Sequence, residues 1–248
     1  MNIQDKVVFI TGAGSGFGEG MAKLFAAQGA KVVIVDRDKT GAERVAAEIG
    51  EQALALTADI TNERDVDQAV DKVLDYFGQI DILINNAGVG HRPQAAELVE
   101  PDEFDRIVGV NIRGIYLITR KLLPHFKVRQ QGVILNIAST GAGRPRPNLA
   151  WYNATKGWVV SVTKALAIEL APHKIRVVAL NPVAGQTPLL TTFMGEDTEE
   201  IRAKFLASIP IGRLLLPEDL AQAALFLCSD FASMITGVAL DVDGGRSI

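Results

Sequence analysis

The chain alternates short, apolar, β-branched runs with longer amphipathic segments, and this alternation restricts its fold more than any other feature. Runs this short and this apolar are typical of strands buried on both faces of a parallel sheet. The amphipathic segments between them predict helices that cover the two faces, which makes a doubly wound α/β fold. Strands are predicted at Val7–Thr11, Lys31–Val35, Ala53–Thr57, Ile80–Ile84, Val133–Ala138, Ile175–Leu180 and Val238–Val242.

Helical signals fill most of the space between these strands. The segment over Pro182–Glu200 is the exception: it is the most irregular part of the chain and is predicted to be a mobile loop. In a doubly wound sheet, the ligand site lies beyond the carboxyl ends of the strands, where the strand order reverses. Helices are predicted over about Phe17–Gln28, Asn62–Phe77, Ala150–Leu170 and Pro217–Cys228.

Length and composition favour a single domain over residues 1–248, with a substrate loop around residues 182–212. The chain has 48% hydrophobic residues and a formal net charge of −4, so it lacks the broad basic footprint of a nucleic-acid binder. Its one cysteine, Cys228, lies in an apolar run and is predicted to be a buried core residue. No metal ligand set is predicted.

Three further observations bear on location. No apolar run approaches the ~20 residues needed to span a bilayer, so no membrane partner is expected. The first predicted strand begins so close to Met1 that no room is left for a signal peptide. A single cysteine cannot form an intramolecular disulfide and gives no sign of an oxidising compartment. A cytoplasmic protein is expected.

A glycine-rich turn joins the first predicted strand to the first predicted helix. Glycine lets the backbone approach a phosphate closely, and the helix that follows presents free N–H groups to an anion. The usual spacing G-x-G-x-x-G fails because the third position is Phe17, and glycines at 12, 16 and 18 give G-x-x-x-G-x-G instead. A purely structural tight turn is the alternative, but a strand before and a helix after favour a Rossmann-type dinucleotide site.

Asp36 ends the second predicted strand, 18 residues after Gly18. A carboxylate there can accept hydrogen bonds from the adenosine ribose and would repel the 2′-phosphate of NADP, which favours NAD. Arg37 follows directly and weakens that repulsion. Asp59 and the run Asn85–Gly88 also follow strands and are positioned for ligand contact, although each alone could be a turn or a cap.

Tyr152 and Lys156 are four residues apart in a helical pattern, which places them on one helix face. A phenol is a poor base at neutral pH, and a nearby ammonium favours the phenolate, so the pair suits proton exchange with a carbinol oxygen. In isolation the pattern is common on exposed helices. Ser139 closes the fifth predicted strand, where its hydroxyl could donate to a substrate oxygen or simply cap a helix. Asn111 lies mid-helix among apolar residues, an unfavourable position for asparagine that suggests a specific polar role.

Taken together, these motifs resemble the classical short-chain dehydrogenase/reductase family over nearly the whole chain. The run Thr11–Gly18 is similar to the family's T-G-x-x-x-G-x-G, and Asn85–Gly88 to its N-N-A-G. The resemblance implies a seven-stranded Rossmann-type sheet, hydride transfer between NAD and an alcohol or ketone, and commonly a homotetramer. Four residues match the family's catalytic set in order and spacing: Asn111, Ser139, Tyr152 and Lys156.

The resemblance also implies individual roles. Tyr152 would be the acid/base, Lys156 would bind the nicotinamide ribose and lower the pKa of the tyrosine, and Ser139 would orient the substrate oxygen. Asn111 would hold a water that links Lys156 to solvent. The implied cofactor contacts are Gly12, Ser15, Gly16, Phe17, Gly18, Asp36, Arg37, Asp59, Ile60, Asn86, Ala87, Gly88, Tyr152, Lys156, Pro182, Val183 and Thr187.

One departure lies after the sixth strand, where the family often has Pro-Gly-x-x-x-Thr. Pro182 and Thr187 match, but Val183 replaces the glycine and is expected to reshape the nicotinamide wall, with Gly185 restoring flexibility. Near the substrate, Arg144 and Arg146 are candidates for an anionic group, or solvated loop cations. Further substrate-side candidates are His91, Arg92, Trp151, Leu189, Leu190, Phe193 and Met194, the last four as a hydrophobic lid.

Three functions remain open from the sequence. The first is an NAD-dependent dehydrogenase acting on a polyol, sugar, cyclic alcohol or hydroxy acid. The second is a 3-oxoacyl-(acyl-carrier-protein) reductase, which Asp36 disfavours because biosynthetic reduction commonly uses NADPH. The third is a non-enzymatic dinucleotide-binding protein, since a fold does not fix a function. The complete catalytic set argues against the third function.

Overall fold

A computed structural model describes residues 3–196 and 198–248 and contains a seven-stranded sheet in which every neighbouring pair of strands is parallel. The strand order is β3-β2-β1-β4-β5-β6-β7. The order reverses between β1 and β4, so the crevice at their carboxyl ends is the expected ligand site. The strands are β1 Val7–Thr11, β2 Lys31–Asp36, β3 Ala53–Thr57, β4 Ile82–Asn85, β5 Gly132–Ile137, β6 Ile175–Pro182 and β7 Ala239–Val242.

Helices cover both faces of this sheet and bury a separate core on each. On one face, Met21, Phe25 and Leu220 pack against Ile10 and Ile34. The helices are α1 Gly16–Ala27, α2 Lys39–Ile49, α3 Glu63–Phe77, α4 Pro101–Val108, α5 Ile115–Arg129, α6 Ala150–Leu170, α7 Pro188–Met194, α8 Glu199–Ala207 and α9 Pro217–Cys228.

The opposite core has the same construction. Val70 and Phe126, from α3 and α5, pack against Phe9, Val33 and Leu83 of the central strands. Strands that face a core on each side must be apolar throughout, which explains the continuous apolar runs in the sequence. The doubly wound seven-stranded fold is confirmed.

Local sequence sets where the helices begin. The Asn62 side chain accepts a hydrogen bond from Arg64 N at 2.9 Å and caps α3. In α9, Pro217 occupies the first turn, and the Asp219 carboxylate accepts from Leu216 N at 2.9 Å. Cys228 is buried at the end of α9, as predicted.

Sequence reasoning was wrong about regular structure between residues 182 and 200. Helix α7 occupies Pro188–Met194, and α8 begins at Glu199 after a capping bond from Ile201 N to Thr198 Oγ1 at 3.3 Å. Proline at a first helical position and Thr198 before two glutamates were the missed start signals. Within the described ranges, no helix is long and apolar enough to cross a membrane.

Candidate active site

A cleft of about 880 Å³ lies at the carboxyl ends of the strands around the β1–β4 crevice. Its walls come from the glycine-rich turn, from the ends of β2 and β4, and from the start of α7. It brings together most of the residues expected to contact a cofactor: Gly12, Ser15, Gly16, Phe17, Asp36, Arg37, Asp59, Ile60, Asn86, Ala87, Gly88 and Thr187.

The glycine-rich turn packs against the end of β4 with no space for side chains. Gly12 has a φ of 62°, and a Cβ on it would lie 2.8 Å from Ala87 Cα. Gly18 lies behind the turn, where a Cβ would strike the Gly12 carbonyl oxygen, and it is absent from the walls of the cleft. Gly18 therefore permits close packing of α1. Ser15 caps α1 without using its side chain, which leaves that hydroxyl at a helix N-terminus.

Asp36 and Arg44 hold the turn by binding the main-chain N–H and C=O groups of Gly14. Asp36 Oδ2 accepts a hydrogen bond from Gly14 N at 2.9 Å, and Arg44 donates to Gly14 O at 3.0 Å. Arg44 also pairs with Glu19 on α1 at 2.7 Å. Hydrogen bonding by Arg44 is the main cause that lowers the pKa of Glu19 to about 2, with Lys23 adding to it. The Asp36 carboxylate, which is expected to select NAD, thus also stabilises the conformation of the glycine-rich turn.

Asn86 and Thr11 join β1 to the turn after β4. The Asn86 side chain donates to Thr11 O and Gly12 O, both at 2.9 Å, while Thr11 Oγ1 accepts from Asn86 N at 3.1 Å and Ala87 N at 3.0 Å. Sequence reasoning assigned Asn86 to the cofactor and did not single out Thr11 within its motif. A hydroxyl at the last position of a buried strand, opposite an Asn-Asn pair, was the available signal.

Asn111 lies in a π-helical turn, Gly109–Gly114, between α4 and α5, rather than in the α-helix that the sequence suggested. Its side chain is fully buried. The amide donates to Val89 O at 2.9 Å and accepts from Val89 N at 2.9 Å, which fixes the segment after β4. It also donates to Thr155 Oγ1 at 3.0 Å, and Thr155 in turn donates to the Tyr152 carbonyl oxygen at 2.7 Å. Thr155 is a positioning residue that sequence reasoning missed.

Tyr152 and Lys156 lie on the buried side of α6, next to Ser139 at the end of β5. Burial raises the pKa of Tyr152 to about 12, while a hydrogen bond with Ser139 and the charge of Arg146 lower it. Burial also lowers the pKa of Lys156 to about 8. The Lys156 ammonium donates to Ile137 O at 2.8 Å and lies 5.9 Å from the centroid of the Tyr152 ring.

A small second cavity, about 70 Å³, lies over Tyr152 and Ser139. Phe17, Thr187 and Leu189 line both this pocket and the large cleft, so the two are neighbours. Pro182 and Val183 also form its wall. We call this cavity the tyrosine pocket.

Helix α7 covers the tyrosine pocket with apolar side chains. The ring of Phe193 packs on Tyr152 with 4.8 Å between ring centroids and also contacts Gly90. Leu189 and Leu190 line the pocket, whereas Met194 is buried in the core. The four apolar residues predicted as a lid therefore lie on a short helix, with the ring of Phe193 packed on the candidate acid/base.

The polar substrate-side candidates have separate environments. Arg146 lines the tyrosine pocket, whereas Arg144 donates to the main-chain oxygens of Arg246 and Ile248. Arg92 lines the large cleft. The two other candidates do not line either cavity. His91 is buried and its Nδ1 lies within hydrogen-bond distance, 2.8 Å, of Arg92 O. The indole N–H of Trp151 donates to Ala96 O at 3.0 Å. Within the described ranges, no group of three or more His, Cys, Asp or Glu residues is arranged to hold a metal ion.

Comparison with known proteins agrees with this geometry. A family model described as enoyl-(acyl carrier protein) reductase matches residues 12–247. The 4-formylbenzenesulfonate dehydrogenase TsaC1/TsaC2 of Comamonas testosteroni is 43% identical, with 100% of both chains covered.

Two solved structures share the fold over almost the entire chain. A 3-ketoacyl-(acyl-carrier-protein) reductase from Brucella melitensis, complexed with NADH, is 74% identical with a TM-score of 0.96, and the match covers 100% of both chains. Levodione reductase is 34% identical with a TM-score of 0.95 and 98% coverage of each chain.

Proposed function

The chain belongs to the short-chain dehydrogenase/reductase family of oxidoreductases, which act on CH–OH groups and ketones, and from that premise we propose that it is an NAD-dependent dehydrogenase of small secondary alcohols. The proposed substrates are polyols, sugars, cyclic alcohols or hydroxy acids, with the corresponding ketones in the reverse direction. The observation that carries the proposal is the meeting of Ser139 and Tyr152 in one pocket beside a cleft whose far end holds Asp36.

The cofactor is NAD(H), and the cleft fits it. Gly12, Ser15 and Gly16 line the cleft, and Ser15 is the N-cap of α1, whose N-terminus presents N–H groups to an anion. Asp36 would hold the adenosine ribose and disfavour a 2′-phosphate. Asp59 and Ile60 would flank the adenine, while Lys156 would reach the nicotinamide ribose. When bound, the nicotinamide accepts or supplies the hydride.

The chain's own residues handle the proton. Tyr152 Oη would exchange a proton with the substrate oxygen, and Ser139 would donate a hydrogen bond to that oxygen. Burial is the largest influence on the pKa of Tyr152 and raises it to about 12, so the phenol keeps its proton at neutral pH and is a poor base there. Ser139 and Arg146 act in the opposite direction, and the expected effect of the Lys156 charge adds to theirs. Asn111 is proposed to hold the water that connects Lys156 to solvent.

A two-stage experiment tests this function. Thermal shifts with NAD, NADH, NADP and NADPH measure which cofactor binds the native state, because a ligand that binds only that state raises the melting temperature. Turnover is then screened over secondary alcohols and ketones with wild type and Tyr152→Phe. We expect stabilisation by NAD(H), and loss of at least about 10²-fold in kcat for the variant with cofactor binding kept. Full activity of Tyr152→Phe would refute the mechanism.

A second candidate function is reduction of 3-oxoacyl thioesters carried by acyl carrier protein. The observation that favours it is the 74% identity to the Brucella protein described as such a reductase. Asp36 and the small tyrosine pocket favour the first candidate instead. Acetoacetyl-coenzyme A reduction with NADH and with NADPH separates the two, because efficient reduction of that thioester, absent with small ketones, would put the second candidate first.

We also propose an assembly and a location. Residues 1–248 would form one domain, with residues 182–212 as its substrate segment, since α7 covers the tyrosine pocket. A homotetramer is supported by large apolar side chains that remain exposed in one chain, such as Ile168 and Met234. A cytoplasmic location is supported by the lone, buried Cys228 thiol and by the need for NAD(H), and imaging of a fluorescent fusion tests it.

A further inference from the structure

Arg146 presents a cation to the tyrosine pocket. In the part of the chain that the structure describes, its guanidinium makes no ion pair and no hydrogen bond. The side chain is partly buried and lines the same pocket as Ser139 and Tyr152. An unpaired, partly desolvated charge is costly to maintain, so its retention in a binding pocket indicates a ligand that pairs with it.

The Arg146 guanidinium packs against an aromatic ring, and its N–H groups make no hydrogen bond to the described residues. Its central carbon lies 4.4 Å from the centroid of the Phe205 ring on α8. Stacking on an aromatic ring uses the face of the guanidinium and leaves its N–H edges available. Those edges match the two oxygens of a carboxylate, and also a sulfonate, in a bidentate pair. Contact with Phe205 of the substrate segment therefore holds the Arg146 guanidinium in a position from which it could receive an anion.

Positive charge around Arg146 strengthens the same argument. Burial lowers the pKa of Arg146 to about 10, and the neighbouring charge of Arg246 contributes to that shift. The Nε of Arg246 is itself buried and has no hydrogen-bond partner among the residues that the structure describes. An anion bound here would relieve the repulsion between the two cations. Arg146 also acts on the reacting group, because its charge lowers the pKa of Tyr152.

We propose that the substrate carries a carboxylate or sulfonate group and that Arg146 binds it, an inference that rests on the dehydrogenase function proposed above. The apolar side chains of Leu149, Leu190 and Phe193 would surround the carbon skeleton between that anion and the reacting carbon. A neutral polyol leaves the guanidinium unpaired, so among the proposed substrate classes the hydroxy acids and their sulfonate counterparts are selected. Arg146 is thus a specificity-determining residue.

Binding of nonreactive anions tests the receptor directly. Calorimetry of the NADH-loaded protein is carried out with benzoate, benzenesulfonate and benzamide. We expect at least one anion to bind tenfold or more tightly than benzamide, and the tighter of the two anions identifies the preferred group. Arg146→Leu should remove the preference, and Arg146→Lys should restore part of it because charge is kept without the bidentate edge.

Arg144→Leu is the matched control. It removes the same charge at a position two residues from Arg146, and the Arg144 side chain does not line the pocket. It should retain the preference for the anion. The inference is overturned if benzamide binds as tightly as both anions to the wild type, or if the two leucine variants lose anion binding equally. Thermal midpoints of all variants separate loss of binding from loss of folding.

Turnover separates this inference from the function on which it rests. Ketone reduction by NADH is measured with 4-oxopentanoate and 4-oxocyclohexanecarboxylate, each against its primary amide. We expect kcat/KM to favour the acids, and Arg146→Leu to lower that ratio by about 10- to 100-fold, the range for a lost charge-assisted pair. Equal reduction of acid and amide would contradict the anion site and keep the dehydrogenase. Failure to reduce either, with Arg146-dependent benzoate binding, would retain the site and refute the proposed reaction.

Discussion

At the scale of single residues, Lys156 is a group whose functional position opposes folding. Burial lowers the pKa of this ammonium from 10.5 to about 8. The unfolded chain therefore binds the proton more tightly, and the cost to stability is complete below pH 8 and disappears as pH rises through 10.5. A shift of this size corresponds to a loss of about 3 kcal/mol in the free energy of unfolding when the ammonium is buried. The hydrogen bond from Lys156 to Ile137 O offsets part of that loss.

Lys156→Met should accordingly stabilise the cofactor-free protein by about 1–2 kcal/mol at pH 7 while it abolishes turnover. Urea unfolding at pH 7 and at pH 9.5 measures the difference, which should be smaller at the higher pH. Lys164→Met, an exposed lysine on the same helix, is the control and should change stability by less than about 0.5 kcal/mol. A destabilised Lys156→Met variant would show that the ammonium contributes net stability.

The sequence predicted residues that lie together in the candidate site, but it did not predict their surroundings. Tyr152, Ser139 and Lys156 could be selected because their chemistry is written in residue type and spacing. Arg144 and Arg146 could not be told apart, because both are loop arginines two residues from each other. Only the three-dimensional path of that loop directs one towards the main chain near Ile248 and the other towards the tyrosine pocket.

At the scale of elements, Asp36 at the end of β2 combines a structural role with an expected role in cofactor selection. Asp36 both accepts from Gly14 N and presents the negative charge expected to reject a 2′-phosphate. Asp36→Ala should therefore lower the ratio of kcat/KM with NAD to kcat/KM with NADP by at least tenfold, partly because the exposed Arg37 beside it can then meet the phosphate. Initial rates with each cofactor at saturating substrate measure this ratio.

Asp38→Ala is the control for that element. Its carboxylate caps α2 by accepting from Thr40 N at 3.1 Å, and it is not part of the cleft wall. The control should lose about 1 kcal/mol of stability with no change in the cofactor ratio. If Asp36→Ala also leaves the ratio unchanged, cofactor choice is set elsewhere in the cleft.

Helix α7 sets the size of the tyrosine pocket through one aromatic ring. Because Phe193 packs on Tyr152 and closes a pocket of about 70 Å³, Phe193→Ala should admit bulkier cyclic ketones and raise KM for small ones about tenfold. Less burial of Tyr152 should also lower the pKa of its phenol and move the pH–rate profile to lower pH. A series of ketones of increasing ring size gives the readout.

Thr191→Ala serves as the matched change on the exposed side of the same helix. It should leave the size limit and the pH profile unaltered. An unchanged size limit in Phe193→Ala would mean that α7 stands away from the pocket during turnover. The sequence indicated apolar lid residues here but not their helix, because a seven-residue helix that begins with proline is too short to show a clear apolar period.

At the scale of the whole molecule, the fold followed from local patterns because each element has only one place to bury its apolar surface. Strands that are apolar on both faces require helices above and below, and right-handed crossovers then leave few possible topologies. The π-helical turn around Asn111 escaped prediction for a related reason. Its geometry is fixed by contacts to Val89 and Thr155, which are distant in the sequence.

The exposed apolar surface of the chain carries the last prediction, which concerns assembly. Ile168 on α6 is 80% exposed, and beyond α9 the side chains of Phe231 and Met234 are 72% and 95% exposed. Burial of such side chains between copies removes apolar area from water at about 25 cal/mol per Å². We predict one twofold interface through Ile168 on α6 and a second through the segment that contains Phe231 and Met234, and two such interfaces would give a tetramer rather than a dimer.

Sedimentation equilibrium at micromolar protein should therefore give four times the 26.6 kDa chain mass. The double variant Phe231→Asp, Met234→Asp should give twice that mass, because charges in one interface leave the other intact. Tyr76→Asp changes an equally exposed aromatic on α3, outside both regions, and should remain tetrameric. A wild-type mass of 26.6 kDa would leave these side chains as exposed surface of a monomer, and a dimeric wild type would assign only one of the two regions to assembly.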